Sequence, residues 1–122
     1  MSSPRLRFTA HQRIRSERDF QRAYARRRSA SEAGLIVYAC ENETGLARLG
    51  LSVSRKVGNA VTRNAWKRAI REAFRRHQHE LPAGTDFVVV VRGGTERFDV
   101  SPVLIPLFHK AHRKLIRAAV NE

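Results

Sequence analysis

Residues 55–76, RKVGNAVTRNAWKRAIREAFRR, hold eight basic side chains and a single acidic one, Glu72. On a helical wheel, the polar side chains in the middle of this stretch fall within one arc of about 140°. They are Arg63, Asn64, Lys67, Arg68, Arg71 and Arg75. Apolar and small residues, among them Trp66 and Ile70, occupy most of the remaining surface. The pattern therefore predicts a helix with one face in a core and one basic face, with Trp66 in the core.

The basic face indicates a polyanionic partner. Exposed helices normally mix acids with bases, because opposite charges four residues apart stabilise a helix and like charges repel. A face that keeps its own repulsion is typical of a surface that meets phosphates. An ordinary solvated surface helix is the weaker alternative, and we expect nucleic acid.

The composition of the whole chain agrees with this expectation. The 122 residues carry 24 Lys and Arg against 11 Asp and Glu, a formal net charge of +13, and most of the basic residues are Arg. The planar guanidinium of Arg binds phosphate through two hydrogen bonds and stacks on bases. With 42% hydrophobic residues, the chain is suited to a single folded domain over residues 1–122.

No apolar run is long enough to span a membrane, and residues 1–15 lack the apolar segment of a secretory signal. An Arg-rich transit peptide is a weaker alternative for these first residues. Cys40 is the only cysteine, so neither an intrachain disulfide nor a zinc signature is expected. We expect a cytoplasmic protein with no membrane partner.

Working outward from residues 55–76, the periodicity predicts a small α+β domain. Residues 1–15 read as a basic N-terminal arm, and we leave open whether it is flexible before binding. A first helix begins after Ser16, strands at 34–41 and 46–54 form a hairpin across the turn residues 42–45, and residues 86–92 form a buried strand. A last helix follows Ser101 and buries Leu104, Leu107, Phe108, Ala111 and Leu115. The predicted order is α-β-β-α-β-α, with a small, mostly antiparallel sheet packed against three helices.

Two further groups of residues are candidates for ligand contact. The loop 52–60 has hydroxyls, two bases and a glycine before a helix start, which fits either an anion site or a plain connection. Phe20, Tyr24 and Tyr38 could stack on bases or simply pack in the core, and periodicity alone favours packing. The five histidines and the scattered acids show no spacing typical of a metal site or an acid–base pair. We therefore assign no catalytic residue and no metal ligand to this chain.

Residues 48–75, RLGLSVSRKVGNAVTRNAWKRAIREAFR, resemble the signature of the protein subunit of bacterial ribonuclease P. Asp19, Phe20, Tyr24, Tyr38 and Asp86 agree with the same family, so the resemblance covers about residues 5–117. The family usually has a basic residue after the Arg-Asn pair, where this chain has Ala65. On the wheel Ala65 lies outside the basic arc, so its presence weakens one RNA contact without removing the face.

The resemblance implies that the catalyst is an RNA subunit, which removes the 5′ leader of precursor tRNA with Mg²⁺ held at the RNA. It implies that the basic arc, from Arg63 to Arg75 on the wheel, faces this catalytic RNA. It also implies a cleft for the single-stranded leader, and an unusual left-handed crossover around the basic helix. The leader-binding residues would be Phe20, Tyr24, Tyr38, Ser52, Arg55 and Lys56.

Two other functions remain as alternatives at this stage. A structural RNA-binding protein of the ribosomal type would bind RNA without changing any cleavage rate. A stand-alone nuclease would cut precursor tRNA without an RNA subunit.

Overall fold

Four strands form one mixed sheet in the computed structural model of the chain, which describes residues 7–121. The strands are β1 (Ser29–Glu32), β2 (Leu35–Glu41), β3 (Arg48–Val53) and β4 (Thr85–Val91), and their order across the sheet is β1-β2-β4-β3. The pairs β1–β2 and β2–β4 are antiparallel, whereas β3–β4 is parallel. The predicted fold class, a mostly antiparallel sheet in an α+β domain, is confirmed.

The predicted hairpin between the second and third strands is wrong, because β4 lies between them. Val88 of β4 pairs with Tyr38 on one side and with Gly50 on the other. The Val-rich β4 is buried along almost its whole length, so the centre of the sheet is its most favourable position. The loop after β2 crosses the end of β4, where the Asn42 amide donates to Asp86 Oδ1 at 2.7 Å. Turn chemistry at residues 42–45 therefore bends the chain without pairing its flanking strands.

Strand β1 was not predicted from the sequence, which indicated a polar loop there. Its residues, SASE, bury only Ala30, because β1 is an edge strand with one neighbour. Residues Ala33 and Gly34 turn the chain back into β2 with positive φ angles of 52° and 87°. The observed order is thus α-β-β-β-α-β-α.

Three helices pack on this sheet: α1 (Glu17–Arg26), α2 (Ala60–His77) and α3 (Ser101–Asn121). Ser16 Oγ accepts a hydrogen bond from the Asp19 amide at 3.1 Å, and Asn59 Oδ1 accepts one from the Thr62 amide at 2.9 Å. The cap at Ser16 agrees with the predicted start of the first helix. Helix α2 ends at His77 and continues as a 3-10 turn, Gln78–Glu80.

Helices α2 and α3 bury the main core against one face of the sheet. Trp66, Ile70 and Phe74 of α2 are fully buried, and Phe87 of β4 packs edge-on against Phe108 at 5.0 Å between ring centroids. The buried face of α3 is the one that the sequence predicted, with Leu104, Leu107, Phe108, Ala111 and Leu115. Because α2 connects the parallel strands β3 and β4, it forms a crossover. Its left-handed turn stays a prediction from the resemblance.

Residues 7–15 pack against the domain, although the sequence indicated an arm over residues 1–15. The ring of Phe8 lies 5.4 Å from that of Phe74, and Ile14 is buried with its amide bonded to the Leu49 carbonyl at 2.9 Å. The Gln12 amide donates to Gln78 Oε1 at 2.8 Å. Residues 1–6 of the predicted arm lie outside the described residues.

Candidate nucleic-acid interface

Helix α1 crosses the second face of the sheet and is fixed there along one flank by ion pairs that involve a buried carboxylate. Asp86 is fully buried and accepts hydrogen bonds from Arg48 Nε at 2.7 Å and Arg48 Nη2 at 2.6 Å. Arg22 of α1 donates to the same carboxylate at 3.1 Å, and Asp19 contacts Arg48 at 3.4 Å. The hydrogen bonds that Arg48 donates to Asp86 raise the pKa of Arg48. These pairs hold α1 in a fixed position across the strands.

The other flank of α1 faces an open groove lined by the rings of Phe20 and Tyr24, with Tyr38 beside Tyr24. The rings of Tyr24 and Tyr38 meet edge-on at 5.0 Å, and that of Phe20 lies 6.3 Å from Tyr24. All three side chains are half-buried, so each ring keeps an accessible part. The groove encloses about 320 Å³ and is also lined by Glu17, Leu51 and Ser52. The structure therefore brings together four of the six residues predicted to bind a leader, since Tyr38 lies directly beside Tyr24.

The pKa of Tyr24 is raised by burial, which outweighs a hydrogen bond with Ser52. Its hydroxyl is therefore neutral at physiological pH and remains a hydrogen-bond donor. The aromatic groove thus combines ring surfaces with polar groups at Tyr24 and Ser52.

Arg55 and Lys56, the other two predicted leader contacts, lie in a 3-10 turn after β3 and do not line this groove. Both side chains are exposed. Their turn packs against the loop after β4, where a Cβ built on Gly93 would come within 2.7 Å of Lys56 Cβ. They follow β3 after Ser54 and are accessible to solvent.

The basic face of α2 forms a second groove with the N-terminal segment. Its volume is about 380 Å³, and Phe8 and Arg13 form its opposite wall. The groove contains five of the six predicted residues: Asn64, Lys67, Arg68, Arg71 and Arg75. Arg63 does not line it, and its Nε is buried without a hydrogen-bond partner among the described residues. Glu72, the single acid, pairs with Arg75 at 2.6 Å within the helix.

Arg13 and Arg15 are interface candidates that the sequence interpretation missed. Together with Lys67, Arg71 and Leu51 they line a small cleft of about 140 Å³ between the two grooves. Burial lowers the pKa of Arg71, and the charge of Arg13 lowers it further, so two guanidiniums converge without an acid between them. The alternation of Arg13, Ile14 and Arg15 is typical of a half-buried extended segment and could have identified them.

Among residues 7–121, no group of three or more His, Cys, Asp or Glu side chains is placed to hold a metal ion. The same part of the chain contains no helix with the length and apolarity needed to cross a membrane. What the described surface offers is aromatic rings and cations arranged along grooves.

A family model described as Ribonuclease P matches residues 8–119. The chain belongs to the ribonuclease P protein family. It is similar to the ribonuclease P protein component of Brevibacillus brevis, with 38% identity over 109 residues that cover 88% of this chain and 86% of the relative. A second relative, from Macrococcus caseolyticus, is 40% identical over 98 residues, covering 80% of this chain and 84% of that protein.

Solved structures of the family share the fold. The Staphylococcus aureus ribonuclease P protein is 36% identical, with a TM-score of 0.64 over 88% of this chain and 94% of that one. The Thermotoga maritima protein is 33% identical, with a TM-score of 0.60 over 87% and 93% of the two chains. The family predicted from the sequence is therefore confirmed, and the ribosomal-type alternative is not favoured. This protein is a subunit of ribonuclease P, an endoribonuclease ribonucleoprotein, and its partner is RNA.

Proposed function

We propose that the aromatic groove binds the single-stranded 5′ leader of precursor tRNA, while the basic face of α2 binds the catalytic RNA subunit. The observation that carries this proposal is the continuity of the two grooves. The cleft between them shares Arg13, Lys67 and Arg71 with the groove of α2, and Leu51 with the aromatic groove. An RNA strand leaving the surface bound by α2 therefore reaches the aromatic groove through a cleft with four cationic side chains.

Each half of this path suits one kind of RNA contact. Exposed aromatic rings beside cations bind single strands irrespective of sequence, and each stacked base contributes about 1–3 kcal/mol. The cations of α2 suit folded RNA, because they neutralise closely spaced phosphates and release counterions. Since mature tRNA lacks the leader, a leader groove strengthens binding of substrate over product.

Mg²⁺ belongs to the RNA subunit in this proposal. The cations at Lys67, Arg68 and Arg71 reduce repulsion between neighbouring phosphates, which favours the compact RNA in which Mg²⁺ is retained. We place the complex in the cytoplasm, in keeping with the free buried thiol of Cys40.

The leader contact is tested by binding of two RNAs to the complex reconstituted with its RNA subunit. Phe20→Ala removes one ring of the groove. It is expected to lower the affinity for precursor tRNA by roughly 5–150-fold, the equivalent of about 1–3 kcal/mol. The affinity for mature tRNA should not change. Phe98→Ala is a matched control, because Phe98 is also a half-buried aromatic residue but packs against Trp66. Equal losses for precursor and mature tRNA would show that Phe20 has no role in leader binding.

The contribution to cleavage is tested separately. Adding the protein to its RNA subunit at low Mg²⁺ should raise the rate of precursor cleavage, whereas a purely structural RNA-binding protein would leave the rate constant unchanged. The protein without the RNA subunit should not cleave precursor tRNA.

A further inference from the structure

A third cationic surface lies at the opposite edge of the sheet from β3, between the end of α1, the start of β1 and the last turns of α3. It encloses about 620 Å³, which is within the range of sites that hold small ligands. Its lining residues are Arg27, Arg28, Ser29, Lys114, Arg117, Ala118 and Asn121. Four of these are cations and none is an acid. We refer to this surface as the β1 cleft.

The β1 cleft has a defined structure. Lys114 Nζ donates a hydrogen bond to the Ser29 carbonyl at 2.7 Å, which ties α3 to the edge strand. Arg27 has a φ of 56°, so the chain reverses sharply after α1 and brings Arg28 beside Ser29. The Nε of Arg28 is buried and has no hydrogen-bond partner among residues 7–121. A buried guanidinium donor without a partner is costly and is suited to an anionic acceptor.

Helix dipoles explain only part of this arrangement. Cations near the carboxyl ends of α1 and α3 interact favourably with the partial negative charge there. That interaction favours Arg27 and Arg117 in exposed positions. It leaves unexplained why Arg28 is drawn into the cleft with an unsatisfied donor.

The cleft begins where the aromatic groove ends. Phe20 and Tyr24 lie one turn apart on one side of α1, and the chain reverses at Arg27, directly after the end of the helix. Across the sheet, Tyr38 is the direct partner of Ser29 in the antiparallel pair β1–β2. Paired residues in such a ladder stand only about 5 Å apart. A strand that passes over Tyr24 and Tyr38 therefore reaches the β1 cleft next.

We propose that the β1 cleft binds the phosphates of the distal part of the same single-stranded leader, beyond the nucleotides stacked on the aromatic rings. This inference rests on the proposed leader groove and extends it by a second, purely electrostatic segment. The arginines bind phosphate oxygens through paired N–H groups, and a phosphate beside Arg28 stabilises a guanidinium whose Nε has no acceptor among residues 7–121. Long leaders thus make contacts that short leaders are unable to reach.

The test compares precursor tRNAs with leaders of about 4 and about 16 nucleotides, the span of known single-strand sites. Binding of each precursor is measured with the ribonuclease P complex, reconstituted with one of two double variants of the protein. Lys114→Gln with Arg117→Gln removes two cations of the β1 cleft. Lys110→Gln with Arg113→Gln removes the same residue types from the same helix at exposed positions outside the cleft. Unfolding curves of both variants confirm that the fold is retained.

The cleft variant should weaken binding of the long-leader precursor only. For that precursor, the slope of log Kd against log[salt] should decrease by about 1.4, or about 0.7 for each lost phosphate contact. The control variant should bind both precursors as the unchanged protein does. Equal affinity of the cleft variant and the control for the long leader would overturn the proposal. So would a loss that is the same for both leader lengths, which would place the RNA subunit at this surface.

The outcome is separable from that of the leader groove itself. Phe20→Ala should weaken binding of both precursors, because the stacked nucleotides are present in each. If Phe20→Ala affects neither precursor, the proposed groove is wrong. If it affects both and the cleft variant affects neither, only the β1 cleft is wrong.

Discussion

The ring of Phe20 lies so close over Gly50 that a Cβ at residue 50 would come within 3.0 Å of two ring atoms. The same Cβ would lie 3.1 Å from Cβ of Ile14. Glycine at this position therefore allows the first helix to place an aromatic ring against β3. Phe20 occupies the space that the absent side chain leaves over this face, and Ser52 remains at the groove.

Gly50→Ala is expected to destabilise the fold and to impair the aromatic groove together. Overpacking of this kind costs about 1–3 kcal/mol in the free energy of unfolding, measurable by urea denaturation. The affinity for precursor tRNA should fall while that for mature tRNA is retained. Combining Gly50→Ala with Phe20→Leu relieves the clash, so the two stability changes should not add. Strict additivity would show that the two residues are not in conflict.

The buried carboxylate that anchors α1 should be the most sensitive polar position in the domain. Asp86→Asn removes the closer of the two carboxylates that balance the charge of Arg48, and we expect a loss of about 3–5 kcal/mol in the free energy of unfolding. Glu72→Gln breaks an exposed pair with Arg75 and serves as the control, with no measurable change. A loss for Asp86→Asn no larger than that for Glu72→Gln would contradict the anchoring role.

Arg71 is expected to strengthen RNA binding without stabilising the free protein. Burial and the nearby charge of Arg13 disfavour its protonated state, so Arg71→Gln is expected to leave the free protein equally stable or more stable. Its binding to the RNA subunit should weaken, with a salt dependence reduced by about 0.7–0.9 in slope for one lost phosphate contact. Arg76→Gln removes an exposed charge outside the basic arc and should leave that slope unchanged. Destabilisation of the free protein by Arg71→Gln would contradict a net repulsion between Arg13 and Arg71.

His112 should make stability depend on pH near neutrality. Burial lowers its pKa below the usual 6.5, and the neighbouring His109 lowers it further. As the pH falls through 6.5, the unfolded chain takes up a proton that folded His112 resists, so stability decreases towards acid. Denaturation curves between about pH 5 and pH 8 should show this slope, and His112→Gln should reduce it. His79 is exposed, so His79→Gln is the control. An unchanged dependence of stability on pH in His112→Gln would show that His112 is not its cause.

Local pattern was sufficient for the features that depend on one helix or strand. The caps at Ser16 and Asn59, the buried side of α3 and the burial of Trp66 follow from periodicity and from the hydrogen-bonding needs of helix ends. The basic arc of α2 was equally predictable, because a helix places its residues by spacing alone. The predicted residues Asn64, Lys67, Arg68, Arg71 and Arg75 accordingly share one groove.

Pairing between distant segments was not predictable from local pattern. The hairpin prediction failed because β4, more than thirty residues after β3, outcompetes the neighbouring strand for the central position. Strand β1 was missed because an edge strand needs little apolar content. Arg13 and Arg15 joined the interface only because Ile14 pairs with Leu49 and brings the segment beside α2.

The sequence by itself determined the family, the chemistry of the surface and the helix that carries most of its charge. Those properties depend on residue identity and short-range spacing. Only the tertiary structure decided where the basic face, the aromatic rings and the β1 cleft lie relative to one another. Their adjacency depends on strand order and on the crossing of α1, which long-range packing and the buried Asp86–Arg48 pair set.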